Sequence, residues 1–168
     1  MEEDLQRIMD ISKSKEKENE EFRIFLKGCN HHQVDKIVHE LNIKYSKEID
    51  CTKCANCCKK LIPALSLDET KDIAKFLTLD YDEFSKKYIE RETAGGFTFQ
   101  GNSCPFLSDK KCSVYDCRPE ACSSFPHLHK DNINHRLLNI INNNHLCPII
   151  FNVLEDLKSI FLDKEDAV

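Results

Sequence analysis

Cys51-Thr52-Lys53-Cys54-Ala55-Asn56-Cys57-Cys58 places four thiols within eight residues, and ordinary core packing gives no reason to crowd cysteines in this way. The spacing is that of metal ligands. In a C-x2-C-x2-C run the thiolates can converge on one centre while intervening backbone amides point toward the sulfurs and offset their negative charge. Further along, Cys104, Cys112, Cys117, Cys122 and Cys147 form a sparser second set within CPFLSDKKCSVYDCRPEACSSFP and HLCP. Cys29 stands apart and reads as a small buried hydrophobe.

Ten cysteines also suit a disulfide framework of the kind that small secreted domains use. The opening MEEDLQRIMDISKSKEKENEEF argues against it, having neither an apolar segment behind a basic start nor a small-residue cleavage site. A reducing cytoplasm is the expected compartment, where clustered thiols bind metal more often than they pair. Adjacent Cys57 and Cys58 are poor disulfide partners in any case.

The 168 residues suit one domain with an appendage. The sequence divides near residue 50, into an N-terminal helical segment at 1–50 and a cysteine-cluster domain with a C-terminal helix at 51–168. No apolar stretch is long enough to span a bilayer, so no membrane partner is expected. Twenty-four lysines and arginines against twenty-nine aspartates and glutamates give a net charge of -5, with the signs interleaved, which disfavours nucleic acid.

Working outward from the cysteine run, KSKEKENEE at 13–21 reads as an exposed helix with charges at helical spacing. Val34, Ile37, Val38 and Leu41 follow the i, i+3, i+4, i+7 rule, predicting a helix over 31–45 and hence an N-terminal helical hairpin. That hairpin is the candidate surface for a protein partner. Ser66 with Glu69 forms a capping-box signature, and Asp80 with Glu83 repeats the start signal. Gly95-Gly96 ends the second of these helices, and FTFQ alternates like a strand that CSVYD could pair with. Pro119 and Pro148 mark helix starts, and HRLLNII at 135–141 reads as a strand. The fold class is α+β: a small cysteine-rich domain with short helices and a few short strands.

The residues leave the metal open. Structural zinc wants four tetrahedral ligands, commonly from paired knuckles, which one dense run and a sparse second set match imperfectly. Ferredoxin-type C-x2-C-x2-C runs use a remote Cys-Pro, and Cys104-Pro105 and Cys147-Pro148 both supply one, so an iron-sulfur cluster or iron is the leading expectation and zinc the alternative. Because the dense run cannot easily surround one ion, the two cysteine groups are expected to meet in one assembly.

The order CxxCxxCC, C-P-F-L, a Cys before Val-Tyr and Arg-Pro, a Cys before Phe-Pro, and a late Cys resembles the YkgJ-like family, bacterial cysteine-cluster proteins described as zinc- or iron-chelating domains. The resemblance covers roughly 51–150. It implies a ligand set of Cys51, Cys54, Cys57, Cys58, Cys104, Cys112, Cys122 and Cys147. Cys117 stands where the family has a non-cysteine residue, Ala55 where glycine is common, and Ser123 where arginine is frequent. More distantly, such motifs resemble the flagellin lysine methylase family, whose cysteines are associated with an iron-sulfur cluster.

Around the thiols, Arg118 is a candidate to neutralise thiolate charge, and His127, His129 and His145 are nearby imidazoles in sequence. Tyr115, Phe106 and Phe125 read as an apolar wall. No Gly-rich phosphate loop, HExxH motif or nucleophile elbow is present, so no catalytic residue is assigned. The expected function is metal or iron-sulfur binding, with a zinc-stabilised interaction scaffold and a cluster-dependent redox or protein-modifying enzyme as alternatives.

Overall fold

Helix period dominates the chain, and the computed structural model, which describes residues 1–93 and 95–162, converts most of it into short helices. These are α1 (Leu5–Ser14), α2 (Glu16–Lys27), α3 (His31–Glu48), α4 (Cys51–Cys54), α5 (Asn56–Lys60), α6 (Leu67–Phe76), α7 (Tyr81–Tyr88), α8 (Glu120–Ser123), α9 (Ile133–Asn142) and α10 (Pro148–Leu162), with a 3-10 turn at Tyr115–Cys117. Five short strands complete it: β1 (Ala64–Leu65), β2 (Ile89–Arg91), β3 (Phe97–Phe99), β4 (Leu107–Ser108) and β5 (Lys111–Cys112). The fold is α+β, predominantly helical, with antiparallel strands and an N-terminal helical hairpin that turns between α2 and α3.

Two compact units divide these elements. The first comprises Met1–Cys51 and the described residues from Pro126 on; the second is Thr52–Phe125. In the first, α10 lies along α3, and α9 packs on α2 and α3. Its core includes Ile8, Leu26, Val34, Leu137, Ile149 and Leu157, each at most 2 % exposed. Two polar side chains inside this bundle bond across helices. The Asp35 carboxylate of α3 accepts the N–H groups of Asn132 and Ile133 at 2.9 and 2.8 Å, capping α9 from another helix where Asn132 itself adopts a left-handed φ of 61°. The Asn134 side chain donates to the Leu26 carbonyl at 2.8 Å, satisfying an acceptor at the end of α2.

In the second unit, α6 starts at a complete capping box: Glu69 N donates to Ser66 Oγ and Ser66 N to Glu69 Oε2. Asp80 caps α7 through the N–H groups of Asp82 and Glu83. The strand order is β1-β3-β2, with Leu65 opposite Phe97 and Ile89 opposite Phe99, while β4 and β5 form a separate hairpin with Leu107 opposite Cys112. Leu65, Ile73, Phe84, Ile89, Phe99 and Phe106 build the core, against which Cys104, Cys112 and Cys117 pack.

Two sequence expectations are corrected. HRLLNII lies within helix α9, because Ile133, Leu137 and Ile140 recur at helical rather than alternating spacing and are all buried. CSVYD does not pair with FTFQ: Cys112 pairs with Leu107, and Tyr115–Cys117 turn as a 3-10 helix, since a two-residue connection closes the local hairpin first.

Candidate functional site

The cysteine run folds as two helical turns, α4 and α5, separated by Ala55 in the left-handed region at φ 50°. This break lets the chain reverse between Cys54 and Cys57. On α5, consecutive residues are turned by about 100° from each other, so Cys57 and Cys58 cannot both aim at one point in front of the helix. They interact sideways, the Cys57 thiol donating a hydrogen bond to Cys58.

The fold brings Cys58 together with the second cysteine set. Cys58, Cys104, Cys112 and Cys122 are close enough for their charges to act on one another, and Cys117 lies beside Cys112. All are half-buried, as are Cys54 and Cys57. Cys122 is carried by α8. The Arg118 guanidinium, in charge contact with both Cys58 and Cys122, lies over the Tyr115 ring at 3.7 Å, and its Nε is buried without a hydrogen-bond acceptor among the described residues. The remaining members of the run and the late cysteine differ: Cys51 is exposed, Cys147 is buried, and both belong to the first unit.

The thiols do not share one environment. The hydrogen bond from Cys57 holds Cys58 down to about 6, against the opposing effect of burial, with its own backbone amide and Arg118 assisting. Burial pushes Cys122 up to about 12, and repulsion from Cys104, Cys58 and Cys112 adds to it. Burial also raises Cys104, although the N–H groups of Phe106 and Leu107 donate to its sulfur and offset part of the rise.

This arrangement overturns the expected metal centre. Among the described residues, no group of three or more His, Cys, Asp or Glu side chains is placed to hold a metal ion. The set Cys51, Cys54, Cys57, Cys58, Cys104, Cys112, Cys122 and Cys147 therefore does not form a chelate for an iron-sulfur cluster, iron or zinc. The metal-binding, iron-sulfur and zinc readings fall with it. One physical reason is visible: helical turns splay the thiols of the dense run.

Sequence reasoning named Arg118 as a neutralising group, and it does face Cys58 and Cys122. It missed Glu69 as a partner of the site, reading it only as a capping residue, since no local signal links it to Glu120. Phe106 lies in the hydrophobic core, whereas Tyr115 is largely exposed beneath Arg118.

The fold and the gathered thiols define a cysteine-cluster protein of α+β architecture. The chain belongs to the CxxCxxCC family, described as "Putative zinc- or iron-chelating domain", whose profile matches residues 50–148. This agrees with the YkgJ-like resemblance carried by its cysteine order. No solved structure matches the chain. No helix among the described residues is long and apolar enough to cross a membrane.

Proposed function

We propose that this protein is a thiol-redox protein that exchanges with disulfides through Cys58. The observation that carries the reading is the placement of Cys58: hydrogen-bonded by Cys57, within charge range of Arg118, and close enough to Cys104 and Cys122 in the same unit for their charges to act on one another. A nucleophilic thiolate needs donors and positive charge nearby, and exchange needs a second thiol within reach.

The chemistry balances without a metal. The Cys58 thiolate attacks one sulfur of a disulfide R–S–S–R, forming a Cys58–S–S–R bond and releasing R–S⁻. Cys104 then attacks the Cys58 sulfur, forming a Cys58–Cys104 disulfide and releasing the second R–S⁻. Two protein thiols are oxidised and one disulfide is reduced to two thiols; the Cys104 proton and one from solvent neutralise the two leaving groups. In the resolving role, Cys104 has its ionisation opposed by burial and partly assisted by the amides of Phe106 and Leu107. Capping Cys58 also removes one of the charges that oppose ionisation of Cys104. The reading places the protein in a reducing cytoplasm, where its thiols start reduced.

The test treats the reduced full chain with a neutral disulfide, hydroxyethyl disulfide, and maps products by mass spectrometry. Cys58 is expected to form the mixed disulfide first and a Cys58–Cys104 bridge second, and Cys58→Ser to remove both. Reaction at Cys58 no faster than at Cys29, or thiols shielded by a stoichiometric bound metal, would overturn the reading.

A further inference from the structure

We propose that a cavity of about 470 Å³ in the first unit binds a small aliphatic primary amine, its ammonium held between His39 and Asp131. One wall is α3, which supplies Lys36, His39, Glu40 and Ile43; the other is the segment entering α9, which supplies Asp131 and Asn132. The site uses no cysteine and stands apart from thiol exchange. Its second wall is fixed before any ligand arrives. Asp35 accepts the N–H groups of Asn132 and Ile133, and the Arg136 guanidinium donates to the carbonyls of His127 at 2.8 Å, Asp131 at 3.3 Å and Lys130. A preformed wall lowers the ordering cost of binding.

His39 is where the two walls lack a bond. Its Nε2 is buried with no hydrogen-bond partner among the described residues, and Asp131 Oδ1, at 3.8 Å, is too far to be one. Buried polar atoms in native proteins are nearly always paired, so this nitrogen calls for a donor. A neutral imidazole with its proton on Nδ1 offers Nε2 as an acceptor, and the carboxylate offers a second. Two acceptors 3.8 Å apart can both lie about 2.9 Å from one nitrogen placed between them, at an angle of about 80°. An ammonium has three N–H groups with which to meet them.

The charge around the cavity favours a cation over a neutral donor. Asp35, Glu40 and Asp131 stand against Lys36 in the lining and Arg136, which is in charge contact with Asp35 and Asp131, an excess of one negative charge. Ile43, one turn of α3 beyond His39, is 55 % exposed and gives an alkyl chain a surface to lie on. The same side-chain types suit a metal ion, but no three of them are placed to hold one among the described residues.

The experiment follows the imidazole NMR signals of the full reduced chain during titration with n-butylamine, at constant ionic strength and at pH 8, above the ordinary imidazole range. Loss of one signal in His39→Gln assigns it to His39. Butan-1-ol and butyrate serve as neutral and anionic probes of matching shape. The expected result is a saturable shift of the His39 signal at millimolar butylammonium, at least about fivefold weaker binding of butan-1-ol and none of butyrate. Asp131 is 78 % exposed, so its variants leave the fold intact. Asp131→Asn keeps an acceptor and removes the charge, and should weaken binding about fivefold; Asp131→Lys should abolish it. A shift that does not saturate, or one shared equally by His129 and His145, which lie outside the lining, overturns the site. So does binding that neither Asp131 variant changes. An equal response to butan-1-ol makes His39 a site for any neutral donor and overturns the amine.

Discussion

Glu69 holds Glu120 across the second unit: its Oε1 accepts the Glu120 backbone N–H at 2.7 Å while Oε2 accepts that of Ser66 at 2.7 Å. One carboxylate thus closes the capping box of α6 and secures the first residue of α8, the turn that carries Cys122. Burial would raise its pKa, but the Ser66 and Glu120 amides outweigh that and hold it below the usual 4.5. A carboxyl held low stabilises the fold above 4.5 and loses that contribution as pH falls through its folded value. Glu69→Gln should cost about 1–2 kcal/mol at neutral pH, as loss of a charged cap does. The deficit, measured by urea denaturation, should shrink below pH 4.5. An equal deficit at pH 3 and pH 7 would show that the charge contributes nothing.

Ala55 carries the strain of the cysteine loop. Its φ of 50° and ψ of 19° put a Cβ in the left-handed region at the junction of α4 and α5, and the side chain is buried. That conformation costs an L residue roughly 1–2 kcal/mol, part of which glycine gives back through the greater freedom of its unfolded chain. Ala55→Gly should therefore raise stability by about 0.5–1 kcal/mol, read as a higher melting temperature. A fall in melting temperature would mean that the buried methyl contributes more by packing than the backbone loses.

What the sequence discloses here depends on how local the cause is. The capping box at Ser66 and Glu69, the start of α7 at Asp80 and the start of α10 at Pro148 are set by neighbours within one turn, and all are legible in the residues. HRLLNII misleads because its apolar run fits a short strand by eye, while the helical stripe that decides it begins two residues earlier at Ile133. The cysteine order identifies the family, yet ligand spacing alone does not show how the thiols point. That depends on α4 and α5 forming helical turns. Cys58 is set apart from Cys122 first by the hydrogen bond from Cys57, its neighbour in the run, whereas the burial that raises Cys122 comes from packing that no window along the chain contains.

Lys158 is a buried charge of the first unit. Its side chain is 5 % exposed, and its Nζ lies 2.5 Å from both Glu18 Oε1 and Glu155 Oε1 and 3.0 Å from Asn19 Oδ1. Lys15 meets Glu155 at 2.5 Å, so the junction of α1 and α2 is tied to α10 by alternating charges. Lys158→Met keeps most of the packing and removes the ammonium, leaving two carboxylates with one cation between them. The expected loss is about 2–3 kcal/mol, below that of a fully buried pair because both glutamates reach solvent. Adding Glu18→Gln should recover part of it, since the neutral amide no longer repels Glu155. A double-mutant cycle with no coupling between positions 18 and 158 would remove the network as a source of stability.

Cys58 and Cys122 impose opposite slopes on stability against pH. With Cys57 as its first cause, Cys58 falls from 9.0 to about 6, so its contribution is full above 9.0 and is lost as pH falls through 6. Cys122, raised from 9.0 to about 12 by burial, contributes fully below 9.0 and loses that as pH rises toward 12. Under reducing conditions, Cys58→Ser should therefore destabilise the protein more at pH 9 than at pH 6, measured by urea denaturation. Alkylation should separate the same two thiols by rate. Cys58 should react with iodoacetamide along a curve with a midpoint near pH 6, and Cys122 should stay unreactive at that pH. Cys57→Ala removes the donor and should move the Cys58 midpoint upward, whereas Cys57→Ser, which keeps a hydroxyl donor, should move it less. A Cys58 midpoint that stays near 9 in the unaltered chain would show that neither Cys57 nor Arg118 acts on it, and would leave Cys58 no more nucleophilic than an ordinary exposed cysteine.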